Sequence, residues 1–116
     1  MPHLIIHVSN LMDEGAKVAF LKRTREVVIE TLQLDPITGH VILYESPHRH
    51  RCTYADRDPN FVLVEVFMHP GRRADVKAHL IERISYLINQ YTGVDSKNIH
   101  AVIHEIPPDD YFGGIT

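Results

Sequence analysis

His40-Val41-Ile42-Leu43-Tyr44-Glu45-Ser46-Pro47 returns sixty residues later as His100-Ala101-Val102-Ile103-His104-Glu105-Ile106-Pro107. Each is an apolar run that opens on histidine, reaches a glutamate and ends at a proline. The same shift lays Asp35 over Asp95 and Lys17 over Lys77. The matched positions occupy equivalent places in two strand–helix–strand units, which points to a duplicated unit. Outward from these strands, residues 2–9 and 61–68 are two more β-type runs. Val62, Val64, Val66 and Met68 alternate with Phe61, Leu63 and Phe67, so both faces are largely apolar, as in a central strand. Residues 13–33 read as a helix that stops near Asp35-Pro36, because a residue before proline avoids the helical region. In the second helix Val76, Leu80, Ile84, Leu87, Ile88 and Tyr91 share one face, and Gly93 supplies the stop.

Each β-α-β unit requires a right-handed crossover between parallel strands. Two units side by side give an α+β fold, a four-stranded mixed sheet with both helices on one face. The opposite sheet face, apolar by the strand pattern, needs a cover that this chain does not supply, which argues for an oligomer. Residues 1–116 read as one domain, with pseudo-repeats at 2–47 and 62–107. The polar, aperiodic connecting loop at 48–61 has room for a short strand.

Composition narrows the function classes. At 116 residues there is one core, not two. The formal net charge of −3 and the lack of a basic stripe leave no electrostatic footprint for nucleic acid. No apolar run has the length of a membrane helix, and Asp13 and Glu14 interrupt the early one, so no signal peptide is expected. The single cysteine, Cys52, forms no internal disulfide, which fits a reducing, cytoplasmic setting.

The chain begins Met1-Pro2 ahead of His3-Leu4-Ile5-Ile6-His7-Val8. A residue as small as proline permits removal of the initiator methionine, leaving a secondary amine as the terminus. Anchored by a strand in an apolar pocket, that amine loses solvation of its cationic form, and its pKa falls into the range of a useful base. Under the sixty-residue shift Pro2 falls on Val62, so only the first half carries this group.

These features together resemble the tautomerase superfamily, and within it the fused members that join two 4-oxalocrotonate-tautomerase-like units, related in fold to macrophage migration inhibitory factor. The carriers are the Met1-Pro2 start, the run from Val66 through His69-Pro70-Gly71-Arg72-Arg73 to Lys77, and the tail from Val102 through Glu105 to Tyr111-Phe112-Gly113-Gly114. The resemblance implies a homotrimer and a catalytic amino-terminal proline at Pro2. It also implies small α-keto or enol acid substrates held by arginine, with no metal or organic cofactor. Arg72 matches the carboxylate-binding arginine; a guanidinium takes a carboxylate through paired charge-assisted bonds, and a helix start adds positive potential. Arg73 is its neighbour, and helical geometry turns only one of the two toward the pocket. Tyr111 or Phe112 matches an aromatic pocket wall.

Departures from the family pattern matter as well. His100 stands where a well-studied relative has a second arginine, His40 is its first-half equivalent, and His69 stands where some dehalogenating relatives have arginine. Histidine is only partly charged near neutrality, so carboxylate binding by these groups weakens as pH rises past about 6.5. Gly113 occupies the position of a water-activating glutamate, Val28 that of a first-half histidine, and no aspartate matches the decarboxylase branch. Asp109 and Asp110 follow Pro107-Pro108 and are expected in solvent. His48, His50 and Cys52 alternate in a way that an extended segment could converge on a metal, but Arg49 and Arg51 add repulsion, and a polar loop is the plainer reading. The expectation is therefore a cofactor-independent keto–enol tautomerase of a small 2-oxo or 2-hydroxy-enoic acid. The alternatives are a decarboxylase or hydratase using protonated Pro2 as acid, and a catalytically silent trimeric interaction protein.

Overall fold

β1 (His3–Val8), α1 (Glu14–Leu32), β2 (His40–Glu45), β3 (Val62–Met68), α2 (Ala74–Thr92) and β4 (Ile99–Glu105) follow one another in a computed structural model that describes residues 1–114. The expected 1–116 unit thus ends in two residues, Ile115 and Thr116, outside the described ones. The strand order is β2-β1-β3-β4, with β1 and β2 parallel, β3 and β4 parallel, and β1 antiparallel to β3 at the centre. Alternation sends Leu4, Ile6 and Val8 from β1, and Val62, Val64, Val66 and Met68 from β3, into one core. Phe20, Val27 and Val28 of α1 and Leu80, Ile84 and Ile88 of α2 close it from a single side. Each such buried side chain contributes about 1.5–3 kcal/mol relative to exposure.

The sixty-residue shift is visible in three dimensions. α1 and α2 each span 19 residues at that offset. Lys17 Nζ pairs with Glu45 Oε1 at 2.7 Å, and Lys77 Nζ with Glu105 Oε1 at 3.3 Å, so each unit clasps its helix to the end of its second strand in the same way. The amide of Ser46 donates to the Val8 carbonyl, and that of Ile106 to the Met68 carbonyl. Short 3₁₀ turns follow at His48–His50 and Pro108–Asp110, so the correspondence runs past the prolines at 47 and 107. The first turn stands where the connecting loop had room for a strand.

α1 stops earlier than its proline suggested. Leu32 is its last residue, and Gln33 adopts a left-handed conformation at φ 53°, the place that Gly93 takes after α2 at φ 76°. Gln33 donates to the Glu30 carbonyl and Leu34 to that of Ile29, so the terminal carbonyls are satisfied before Asp35-Pro36 is reached.

The sheet face away from the helices is uncovered, but it is less apolar than the alternation of β3 suggested. Ile42, Tyr44 and Val102 are 44–55% exposed on it. At its centre Glu65 lies between two imidazoles, His7 Nε2 at 2.8 Å and His104 Nε2 at 3.2 Å. The bond from His7 is the main cause that holds the Glu65 carboxyl below its ordinary pKa.

Candidate active site

The sheet topology gathers several chemical groups at one end. β1 and β2 start there, and β3 and β4 finish there, because β1 is antiparallel to β3. Pro2 is buried just before β1, and its carbonyl accepts a bond from the His40 amide at 3.2 Å, which ties the start of β2 to it. The turn into β2 needs Gly39 at φ 89°, a conformation that side chains disfavour. Arg25 of α1 holds that turn, donating from Nε to the Gly39 carbonyl at 3.0 Å and from Nη2 to those of Thr38, at 2.9 Å, and Pro36.

His3, His40, His69 and Tyr111 form one aromatic cluster at this end. The His3 and His40 rings stack with centroids 4.9 Å apart. Tyr111 Oη lies 2.7 Å from His3 Nε2, and its ring meets His69 edge-on at 5.5 Å. His69 Nδ1 lies 2.9 Å from the Ile106 carbonyl, which can only accept, so that nitrogen carries the proton. Burial, the positive amino terminus and His40, in that order, hold the His3 imidazole below its ordinary pKa. Tyr111 arrives through the Pro108–Asp110 turn. Beyond it Gly113 packs so near that a Cβ there would lie 3.1 Å from the tyrosine ring.

Other expected residues behave differently. Phe112 is 76% exposed and stands outside the cluster. Arg72 and Arg73 precede α2 instead of opening it, since the helix begins at Ala74 and Arg73 is its extended N-cap at φ −66° and ψ 150°. The helical-wheel argument for separating the two therefore does not apply. Pro70 and the positive φ of Gly71, 118°, keep this segment out of helix. Arg73 turns to solvent and pairs with Asp75 at 2.8 Å. Arg72 is half-buried and has no carboxylate partner among the described residues. His100 pairs with Leu63 at the opposite end of the sheet, four register steps from the His104 beside Phe67, so one chain does not bring it to Pro2. His48 and His50 lie in a 3₁₀ turn, not an extended segment. No group of three histidine, cysteine or acidic residues among the described ones is arranged to hold a metal. Asp109 and Asp110 are exposed.

His3 escaped the sequence reading. The signal was present: alternation along β1 puts it on the open face, next in the chain to Pro2 and level with His40 across a parallel pair.

The equivalent end of the second unit is filled. Val62 stands for Pro2, Leu63 for His3, Ser9 for His69 and Arg51 for Tyr111. Arg51 bonds Ser46 Oγ at 3.0 Å and the Pro59 carbonyl, and its guanidinium lies 4.3 Å from the Phe61 ring centroid. Ser9 Oγ donates to Asn60 Oδ1 at 2.6 Å. Two surface hollows lie on the helical side, around Tyr86 and Glu82, and neither includes a residue of the Pro2 end.

Comparison with known proteins agrees with this architecture. A family model described as a tautomerase enzyme matches residues 38–113, more than half of the chain. Among solved structures, a fused 4-OT wild-type symmetric trimer shares 25% identity over 94% of this chain and 89% of its own, with a TM-score of 0.84. A macrophage migration inhibitory factor-like protein from Entamoeba histolytica shares 15% identity over 97% of this chain and 95% of its own, with a TM-score of 0.84. FG41 malonate semialdehyde decarboxylase inhibited by 3-bromopropiolate shares 20% identity over 97% and 88%, with a TM-score of 0.79. No curated protein sequence matches the chain significantly.

Proposed function

This chain belongs to the tautomerase superfamily, and on that premise we propose that it interconverts the keto and enol forms of a small 2-oxo or 2-hydroxy-enoic acid, with Pro2 as the base. One observation carries the reading: Pro2 is a buried residue at the head of β1, beside a cluster of three imidazoles and a tyrosine. With Met1 removed, its nitrogen becomes a secondary amine at the edge of the core. Burial disfavours the ammonium form, and so does any positive charge on the nearby imidazoles. An ordinary α-amine has a pKa of about 7.7–8.0, and a prolyl amine is more basic, so a downward shift is what lets this group act as a base near pH 7.

The neutral amine takes a proton from the substrate's C3 or from its enol oxygen and returns it at the other position. Arg72 binds the carboxylate and favours the enolate charge as it develops. A well-positioned base is worth roughly 10² to 10⁴ in rate. The uncovered sheet face supports a homotrimer, the state of the fused 4-OT neighbour, and subunits seated around Pro2 would then finish a pocket that one chain leaves open. The lone exposed thiol of Cys52 fits a cytoplasmic setting.

In protein whose intact mass shows Met1 removed, Pro2→Ala is expected to lose about 10² to 10⁴ of kcat, while Arg72→Ala mainly raises KM. Full activity in Pro2→Ala on every 2-oxo acid turned over sinks the reading. Sedimentation equilibrium showing a monomer would remove the trimer. The decarboxylase neighbour supports a second reading, in which protonated Pro2 acts as an acid on a 3-oxo acid. The pH profile separates the two, since an acid role is lost as pH rises through the amine's pKa and a base role is gained.

A further inference from the structure

We propose that Tyr111 is a second catalytic residue, whose hydroxyl hydrogen-bonds the substrate's keto oxygen, and that His3 is the positioning residue that aims it. The inference rests on the tautomerase reading for its substrate and on the geometry of the pair for everything else. His3 Nε2 and Tyr111 Oη lie 2.7 Å apart, and His3 is the one hydrogen-bond partner of that hydroxyl among the described residues. The ring of His3 is held on both sides, stacked on His40 and tilted against Tyr111 with centroids 5.7 Å apart. The tyrosine ring also meets His69 edge-on, and Gly113 leaves it room that a Cβ would take.

A neutral imidazole has one N–H and one bare nitrogen. Burial, the largest cause of its lowered pKa, favours the neutral ring of His3 near pH 7. We take the proton to sit on Nε2, because Nδ1 has no protein partner among the described residues and Nε2 has Tyr111 Oη. With the proton on Nε2, the ring donates to Tyr111 Oη, and the hydroxyl hydrogen is left free for a ligand bound at this end of the sheet. A 2-oxo acid whose C3 proton passes to the Pro2 amine builds negative charge on its C2 oxygen. A hydroxyl donor already aimed at that oxygen stabilises the charge without reorganising, and the incoming bond from His3 makes it a stronger donor. No proton leaves the tyrosine in this step; the amine takes it and returns it.

Two measurements test the pair. ¹⁵N NMR of histidine-labelled protein at pH 7.5 should find His3 protonated on Nε2 and bare on Nδ1, with the assignment made by the loss of that signal in His3→Gln. The reverse tautomer means that the tyrosine spends its hydrogen on His3 and overturns the proposal, whatever the enzyme's substrate. The second measurement is kinetic and uses phenylpyruvate, whose conjugated enol absorbs in the near ultraviolet. Tyr111→Phe, which keeps the ring, should lower kcat roughly 10- to 100-fold with KM changed less than about threefold, a little below the loss for a backbone or amide oxyanion donor. His3→Leu should do the same, the double variant should be no worse than either single one, and His3→Gln, whose amide can donate to Oη, should recover part of the loss. Losses that multiply in the double variant, or a Tyr111→Phe enzyme within twofold of wild type, sink the proposal. If Pro2→Ala is inactive while Tyr111→Phe is not, the tautomerase reading stands without the pair. If wild type does not enolise phenylpyruvate, the NMR result alone decides the pair.

Discussion

One peptide bond separates Pro2 from an imidazole whose protonation the fold resists. Because the folded His3 pKa lies below its unfolded value of about 6.5, the unfolded chain binds more protons there, and stability falls as pH drops from about 6.5 through the folded pKa. His3→Asn removes the titrating group, so its unfolding midpoint should fall less than that of wild type between pH 7 and pH 5. Parallel curves in denaturant titrations at the two pH values would refute the assignment. Pro2 stood out as a candidate in the sequence because its position after Met1 needs no folding to be seen. His3 was not, because its meaning depends on Tyr111, 108 residues away. Arg72 and Arg73 could not be told apart in the sequence, because the pairing of Arg73 with Asp75 shows only in the fold.

At the scale of the element, the two helices are a matched pair that differ at their ends. α1 has an acidic N-cap, Asp13, whose carboxylate accepts from the Ala16 amide at 2.8 Å, whereas α2 has Arg73 with no capping bond. At the other end the difference reverses, with Gln33 in the left-handed conformation where α2 has Gly93. A side chain in that region costs about 1–2 kcal/mol, offset in part by the greater backbone freedom glycine loses on folding. Gln33→Gly should therefore stabilise the protein by about 0.5–1 kcal/mol and Gly93→Ala should destabilise it by about 1 kcal/mol, as read from chemical denaturation midpoints. Equal effects in the same direction would mean that the two termini are not equivalent. The strands and helix lengths were readable from alternation and from the three- and four-residue steps. The end of α1 was not, because Asp35-Pro36 is a strong stop signal that masks a softer one two residues earlier.

Across the whole molecule, duplication has preserved the frame more faithfully than the chemistry. The clasps Lys17–Glu45 and Lys77–Glu105, the turns after Pro47 and Pro107, and the helix offsets all repeat. The relation was visible in sequence because the repeated residues hold the backbone, and their spacing cannot drift. The uncovered sheet face was likewise anticipated, though its carboxylate between two histidines was not, since Glu65 interrupts an otherwise apolar strand. What differs between the halves is the content of the two sheet ends. Arg51, stacked on Phe61 and bonded to the Pro59 carbonyl, occupies the far end as a resident cation with its own partners. A tight-binding titrant should consequently count polypeptides one for one, with a calorimetric endpoint at a single equivalent per chain; an endpoint at two would mean that Arg51 swings out and the ancestral twin has kept its vacancy.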